Sequence, residues 1–305
     1  APFAPAPGLT VLHSSDYRGP GQLPEGAVLV IGGGQSGAQI AQDLRDGGRS
    51  VYWSLADRHS HTRRLRGKDS MTWWDMAGRI HQHVSQSAAV LAGEPDALRK
   101  ARTAEFPLIS GKGGAGLGSS ISLLAMHRAG IRLLGRLQEF SGNTARFADV
   151  RPQLRTAIEA TRAEYAYLDS LASAYYATRP EPRTDDARYI PEEVYLHWEP
   201  EPSPCELDLQ AAGIRSVVLA TGFVAEWPWL DVQGALDAHG YPLGEFGVSP
   251  QPGLFFIGMH NLQRMSSSFL CNGGRDARDL LPAILQHLGR SGSTGSGAGQ
   301  GSRRA

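Results

Sequence analysis

The clearest pattern in the chain is a short apolar run followed by glycines and then by apolar positions at helical spacing. Residues 27–31 read Ala-Val-Leu-Val-Ile, an unbroken apolar stretch that predicts a parallel strand buried on both faces. Apolar side chains recur at helical spacing over residues 38–44, two glycines follow, and residues 50–55 resume a strand pattern. This order predicts a βαβ unit and hence an α/β fold.

Weaker patterns predict further elements. In chain order these are a helix over 70–80, strands over 131–137 and 144–147 joined by a turn at 141–143, a helix over 152–176, strands over 216–220 and 254–257, and a helix over 276–288. The helix over 152–176 is the best supported of them, because its apolar side chains share one helical face.

Composition excludes several classes of protein. The 305 residues include 30 basic and 30 acidic side chains, so no net charge attracts nucleic acid. No apolar run approaches the ~20 residues that a membrane-spanning helix needs, and no signal-like segment opens the chain. We therefore predict a cytoplasmic protein of about two domains, without nucleic-acid partners and without a transmembrane segment.

The glycines after the first strand match a dinucleotide-binding fingerprint. Gly32-Gly33-Gly34-Gln35-Ser36-Gly37, called here the glycine loop, has the spacing G-x-G-x-x-G between a predicted strand and a predicted helix. Gly32 suits the tight turn, Gly34 lets a pyrophosphate approach the backbone, and Gly37 allows close packing of helix on strand. The alternative is a glycine-rich turn without a ligand.

The end of the second strand predicts which coenzyme binds. An acid about 20 residues after the glycines selects the free 2′-hydroxyl of NAD, whereas an arginine suits the 2′-phosphate of NADP. Asp57 alone favours NAD, but Ser54 occupies the expected strand end and Arg58 follows directly. Further cations come next, at Arg63, Arg64 and Arg66. We therefore predict NADP, with Ser54 and Arg58 as ligands; the alternative is that the arginines lie in a solvated loop.

Three further motifs carry a family resemblance. They read His-Ser-Ser-Asp-Tyr-Arg at 13–18, Ala-Thr-Gly-Phe at 220–223 and Gly-Leu-Phe-Phe-Ile-Gly at 253–258. In order and spacing they resemble motifs of the flavin-containing monooxygenases and of the related bacterial flavoproteins labelled as involved in potassium transport. The resemblance spans residues 8–288, apart from residues 82–118.

The resemblance implies an NADP-binding domain of Rossmann type inserted in an FAD-binding domain. It implies a linker and residual FAD-domain segment at 1–20, the NADP-binding domain at 21–204 and the C-terminal part of the FAD-binding domain at 205–288; a disordered tail is expected at 289–305. The family's FAD fingerprint lies upstream of the His-x-x-x-Tyr motif, whereas this chain has a single fingerprint. We therefore expect a fragment that lacks the N-terminal FAD fingerprint.

The resemblance also implies flavin contacts. Thr221 and Gly222 are expected beside the flavin or its linker, and Gly258 near the ribityl chain. The N-terminus of the last helix is expected to stabilise negative charge developing on the flavin pyrimidine ring. Asp276 is equally well explained as the N-cap of that helix.

By this resemblance, NADPH reduces FAD and the reduced flavin activates oxygen for insertion into a small organic substrate. Because the cofactors perform the chemistry, no catalytic side chain is predicted. Two alternatives stay open: an NADP(H)-binding accessory or sensing module without turnover, and an NAD(P)H-dependent flavin reductase or oxidase. The oligomeric state also stays open, with a homodimer as one candidate.

Two other motifs point to no further ligand. The pairs at His59 and His61 and at His81 and His83 have an H-x-H spacing, but no carboxylate pattern completes a metal site, so no metal is predicted. Gly-Lys-Gly-Gly at 111–114 lacks the order of a phosphate loop and predicts a flexible linker.

Overall fold

The computed structural model of the protein describes residues 8–94, 97, 107–108, 118–184 and 186–289. The predictions for residues 1–7, for the segment at 111–114 and for the tail from residue 290 lie outside these described residues. Contacts group the chain into two compact units. The first unit is Ala1–Ala77 with Glu105–Phe223, and the second is Gly78–Ala104 with Val224–Ala305.

Regular elements alternate along most of the described chain. The β-strands are β1 Thr10–His13, β2 Ala27–Ile31, β3 Val51–Ser54, β4 Arg64–Leu65, β5 Lys68–Asp69, β6 Arg132–Leu134, β7 Leu137–Ser141, β8 Thr144–Phe147, β9 Glu206–Asp208 and β10 Ile214–Leu219. The α-helices are α1 Gln35–Asp46, α2 Ser70–Met76, α3 Ala88–Leu91, α4 Leu123–Arg128, α5 Val150–Tyr176 and α6 Gly273–His287.

The first unit is built on a parallel sheet with the strand order β1-β10-β2-β3-β6. Strand β2 is buried along its whole length because both faces of the sheet are covered. On one face Val28 and Val30 pack with side chains of α1, α4 and the start of α5. On the other face Leu29 and Ile31 pack with the antiparallel sheet β7-β8-β9. The predicted α/β fold with a parallel sheet is confirmed.

The strand predicted over 131–137 is wrong as a single element. The structure divides it into β6, which pairs with β3 at the edge of the parallel sheet, and the start of β7, which forms the hairpin with β8. Gly135 lies at the division, where a Cβ would lie 2.1 Å from the carbonyl oxygen of Ala148. The chain therefore changes direction at a position that has no room for a side chain.

The helices follow their predicted positions with shifted ends. Helix α5 confirms the prediction over 152–176. Helix α2 ends earlier than predicted, because Gly78 adopts a left-handed conformation with φ 73° and a short 3-10 turn follows. Within the described residues, no helix combines the length and the apolarity that crossing a bilayer requires.

The second unit holds the last helix and the segment 254–257, for which a strand is predicted. The strand over 254–257 is wrong: Phe255 forms only an isolated bridge with Val248. Its apolar signal has another origin, since Phe256 is buried in a small apolar cluster with Ala235 and Leu262.

Helix α6 begins three residues earlier than predicted, with Asn272 as its N-cap. The prediction of Asp276 as N-cap is therefore wrong. Asp276 is fully buried, accepts a hydrogen bond of 2.7 Å from Asn272 Nδ2, and forms an ion pair with the buried Arg264. A charge-balancing role explains this aspartate, because a buried arginine needs a carboxylate partner.

The predicted domain boundaries at 20 and 204 stay predictions. Strand β10 pairs with both β1 and β2, so residues 10–13 and 206–219 belong to the unit that holds the glycine loop. The assignment of these segments to an FAD-binding domain stays a prediction.

Candidate functional site

The glycine loop joins the carboxyl end of β2 to α1, and three of its glycines lie where no side chain fits. A Cβ on Gly32 would lie 2.1 Å from the carbonyl oxygen of Ala220, and a Cβ on Gly33 would lie 2.0 Å from the amide nitrogen of Ala56. A Cβ on Gly37 would lie 1.9 Å from the carbonyl oxygen of Gly32. The loop therefore packs directly on the chain segments that follow β3 and β10.

The same loop is open at Gly34, the N-cap residue of α1. A Cβ there would approach only the guanidinium of Arg58, with Nη2 3.8 Å away. Because Gly34 has no side chain, no N-cap side chain accepts from the first turn of α1, which Gln35 and Ser36 begin. The amide groups and the dipole of a helix N-terminus attract anions. The arrangement suits a phosphate at the start of α1.

Arg58 adds a positive charge at this helix start. It follows β3 by four residues and its side chain is half-buried, so that burial lowers the pKa of the guanidinium. An arginine keeps its charge despite such a shift, because its usual pKa lies far above neutral pH. A partly desolvated guanidinium is the side chain best suited to bind a phosphate through two hydrogen bonds.

The two polar residues before Arg58 are engaged with the protein. Ser54 is 1 % exposed, and its hydroxyl donates to the carbonyl oxygen of Gly135 at 2.9 Å. The carboxylate of Asp57 accepts from Arg136 at 2.7 Å. Ser54 therefore joins the ends of β3 and β6, and its predicted contact with the coenzyme stays a prediction.

A cavity of about 450 Å³ opens beside Arg58 in the first unit. It lies between the segments that follow β3 and β6 and the first three turns of α5. Its lining residues are Asp57, Arg58, His59, Arg136, Ala148, Asp149, Pro152, Gln153, Thr156, Ala157 and Ala160. Its size is in the range of small-molecule sites, and Arg136 and Gln153 add hydrogen-bond donors to it.

The other predicted cations do not join this cavity. Arg63 forms an ion pair with Asp69 at 2.9 Å, and Arg66 pairs with Asp169 and Glu181. They hold the β4–β5 hairpin. Of this arginine cluster, Arg58 is therefore the residue that the structure brings to the glycine loop.

Thr221 and Gly222 lie at the exit of β10, next to the glycine loop. The amide nitrogen of Thr221 would be 3.3 Å from a Cβ on Gly32. His13 lies beside this exit: its Nδ1 accepts from the amide of Ser15 at 3.2 Å, which leaves Nε2 to donate to the carbonyl oxygen of Gly222 at 3.2 Å. The motifs at 13–18 and 220–223 therefore meet in one place.

Gly258 lies in the second unit, with a left-handed φ of 82° and no atom within 4 Å of an added Cβ. Flavin contacts of Thr221, Gly222 and Gly258 stay predictions.

The two histidines of the first H-x-H pair have separate surroundings. His59 lines the cavity, whereas His61 is fully buried against the ring of Trp74.

Arg136 and Gln153 are the site residues that sequence reasoning missed. Arg136 follows β6, whose carboxyl end adjoins that of β3. Knowing that β6 pairs with β3 would therefore have predicted that Arg136 lies at the site. The sequence hid this signal because 131–137 reads as one strand, in which Arg136 would not follow a strand end. Gln153 lies on the first turn of the long helix α5, where its side chain carries no distinguishing pattern.

Comparison with known proteins yields relatives that are oxidoreductases by name. The chain is 24% identical over 277 residues to an uncharacterized oxidoreductase CzcO-like of Geobacillus kaustophilus (strain HTA426), covering 90% of this chain and 57% of the relative. It is 26% identical over 275 residues to an uncharacterized oxidoreductase CzcO of Bacillus subtilis (strain 168), with the same coverage of 90% and 57%. The chain thus spans about 57% of the length of these curated relatives.

Among solved structures, a flavin-containing monooxygenase from Stenotrophomonas maltophilia matches with a TM-score of 0.46 and 14% sequence identity, over 92% of this chain and 55% of that chain. No family model matches the chain. Over about nine-tenths of its length, the chain therefore resembles proteins named as oxidoreductases.

Proposed function

We propose that this chain is the NADPH-binding portion of a flavin-dependent oxidoreductase of the monooxygenase type. The observation that carries the proposal is the position of Arg58, whose guanidinium lies beside Gly34 at the start of α1. The start of α1 would hold the pyrophosphate, and the partly buried cation beside it would bind the 2′-phosphate of NADPH.

The residues of the first unit fit the parts of the dinucleotide. The glycine loop and the first turn of α1 would hold the pyrophosphate, since Gly34 leaves the backbone accessible. Arg58 would bind the 2′-phosphate, and the cavity beside it would take the adenosine end. The packing of Gly32, Gly33 and Gly37 on neighbouring backbone fixes the loop before the ligand arrives, which lowers the ordering cost of binding.

NADPH and FAD, when bound, supply hydride transfer and activation of oxygen toward a small organic substrate. In this proposal the NADP-binding domain is inserted in an FAD-binding domain, to which segments of residues 1–20 and 205–288 contribute. Thr221, Gly222 and Gly258 would contact the flavin. His13 would keep Thr221 in place through the carbonyl group of Gly222.

Visible absorbance tests this function directly. The purified chain is incubated with FAD, desalted and then mixed with NADPH without oxygen. Retained flavin bands that bleach with NADPH support the proposed reductive reaction. Retained flavin that NADPH leaves oxidised contradicts the oxidoreductase proposal for this chain, and NADPH binding without retained flavin indicates a nucleotide-binding module instead.

A further inference from the structure

Two neighbouring residues after β3 favour different coenzymes. Asp57 lies about 20 residues after the glycines, the spacing at which an acid in a dinucleotide fold accepts from the free 2′-hydroxyl of NAD, and its charge would repel a 2′-phosphate. Arg58, the next residue, attracts that phosphate. Both side chains line the same cavity. For either coenzyme to be selected, one of these two opposite charges has to be neutralised.

The structure holds a partner for the acid. Arg136 Nη2 lies 2.7 Å from Asp57 Oδ2. Arg136 reaches this place because β6 pairs in parallel with β3, with Leu134 opposite Ser54, so the segments that follow the two strands adjoin. The ion pair is therefore a product of strand order and links positions 79 residues apart.

The charges around the cavity balance in favour of Arg58. Asp57 is paired with Arg136, and the other carboxylate of the lining, Asp149, accepts from Arg151, which lowers the pKa of Asp149. With both acids paired to arginines, neither carboxylate of the lining presents an unbalanced negative charge beside Arg58. Without Arg136, Asp57 would oppose Arg58.

We propose that Arg136 determines coenzyme selectivity by acting through Asp57: it neutralises the acid that would otherwise favour NAD. This inference rests on the proposed NADPH function. It distinguishes Arg136 from Arg58, since Arg58 is expected to contact the phosphate itself. Because the side chains of Arg136 and Asp57 are 61% and 71% exposed, the effect should weaken as salt is added.

A double-mutant cycle tests the inference by coenzyme binding. Dissociation constants of NADP⁺ and NAD⁺ are measured by calorimetry at low salt for the unmodified protein, Arg136→Gln, Asp57→Asn and the double variant. Arg136→Gln should lower the affinity for NADP⁺ relative to that for NAD⁺ by about tenfold. Adding Asp57→Asn to the same chain should restore most of that lost affinity. Added salt of about 0.5 M should shrink the effect of Arg136→Gln.

Arg146→Gln is the matched control. Arg146 is similarly exposed and pairs with Glu139 and Glu206 on the β7–β9 sheet, away from the cavity lining. It should change neither constant. Circular dichroism shows whether each variant is folded.

The outcomes separate the two proposals. If NADP⁺ does not bind the unmodified protein, the proposed function fails and the inference falls with it. If NADP⁺ binds but Arg136→Gln leaves its affinity unchanged, the inference alone is overturned. The same holds if Arg136→Gln lowers NADP⁺ affinity equally in the chain with Asp57 and in the chain with Asp57→Asn. Equal loss in both backgrounds would mean that Arg136 touches the phosphate itself.

Discussion

At Arg58, burial and charge act in opposite directions. Burial lowers the pKa of the guanidinium, but the group stays charged at neutral pH and has fewer water molecules to displace when an anion binds. In the proposed function, that combination lets Arg58 select between two coenzymes that differ by a phosphate.

We predict that Arg58→Ala lowers NADP⁺ affinity by about ten- to hundredfold and NAD⁺ affinity by less than about threefold. Isothermal calorimetry with both coenzymes measures this. Arg63→Ala is the control, because Arg63 pairs with Asp69 outside the cavity lining and should leave both affinities unchanged. Equal affinities before and after the Arg58 change would discard the phosphate-site assignment.

Gly37 offers a steric test at the same scale. A Cβ there would lie 1.9 Å from the Gly32 carbonyl oxygen, so Gly37→Ala should lower the free energy of unfolding by about 2–4 kcal/mol. Gly274→Ala is the control: it lies in the first turn of α6 with no atom within 4 Å, and should be neutral or stabilising. Urea denaturation compares the two, and similar losses in both would argue against the steric explanation.

At the scale of elements, buried carboxylates hold helices and turns together. Glu193 is fully buried and accepts from Ser60, from Ser122 and from the amide of Leu123 at the start of α4. Burial is the main cause that raises the pKa of this carboxyl.

Because the native state binds this proton more tightly than the unfolded chain, the contribution of Glu193 to stability is largest below pH 4.5. It falls as pH rises from there through the raised native pKa. Glu193→Gln should therefore flatten the decline over that pH range, as urea denaturation at several pH values can measure. Glu192→Gln, on the more exposed neighbouring carboxyl, should preserve it, and an unchanged profile for Glu193→Gln would contradict the assignment.

Helix α6 depends on a buried ion pair in a similar way. Asp276→Asn leaves the buried Arg264 without its innermost carboxylate and should cost about 3 kcal/mol of unfolding free energy. Asp279→Asn removes a half-exposed partner of the same arginine and should cost less than about 1 kcal/mol. Denaturant titrations separate the two; equal small costs would mean that Asp276 acts as no more than a surface acid.

At the scale of the whole molecule, binding and folding are linked. If NADP⁺ binds the native protein but not the unfolded chain, a concentration 100-fold above its dissociation constant should raise the unfolding free energy by about 2.7 kcal/mol. Denaturant titration with and without NADP⁺ measures this shift. Arg58→Ala should need correspondingly more NADP⁺ for the same shift, and no shift in the unmodified protein at millimolar coenzyme would count against the site.

The sequence by itself determined the features that rest on local chemistry. The apolar run at 27–31, the glycine spacing and the helical periodicity of 152–176 predict β2, the loop and α5, because strand burial, tight turns and amphipathic faces each follow from residues close together in the chain. The position of Arg58 after β3 was also readable, since it is set by a single connection.

Tertiary structure alone decided what depends on distant neighbours. Three features depend on segments far apart in sequence. They are the division of 131–137 into β6 and β7, the pairing of Arg136 with Asp57, and the burial of Asp276. Strand order brings the ends of β3 and β6 together, and only then does an exposed arginine become a partner for Asp57. Local patterns specify elements, but the charge balance of a site arises from the packing between them.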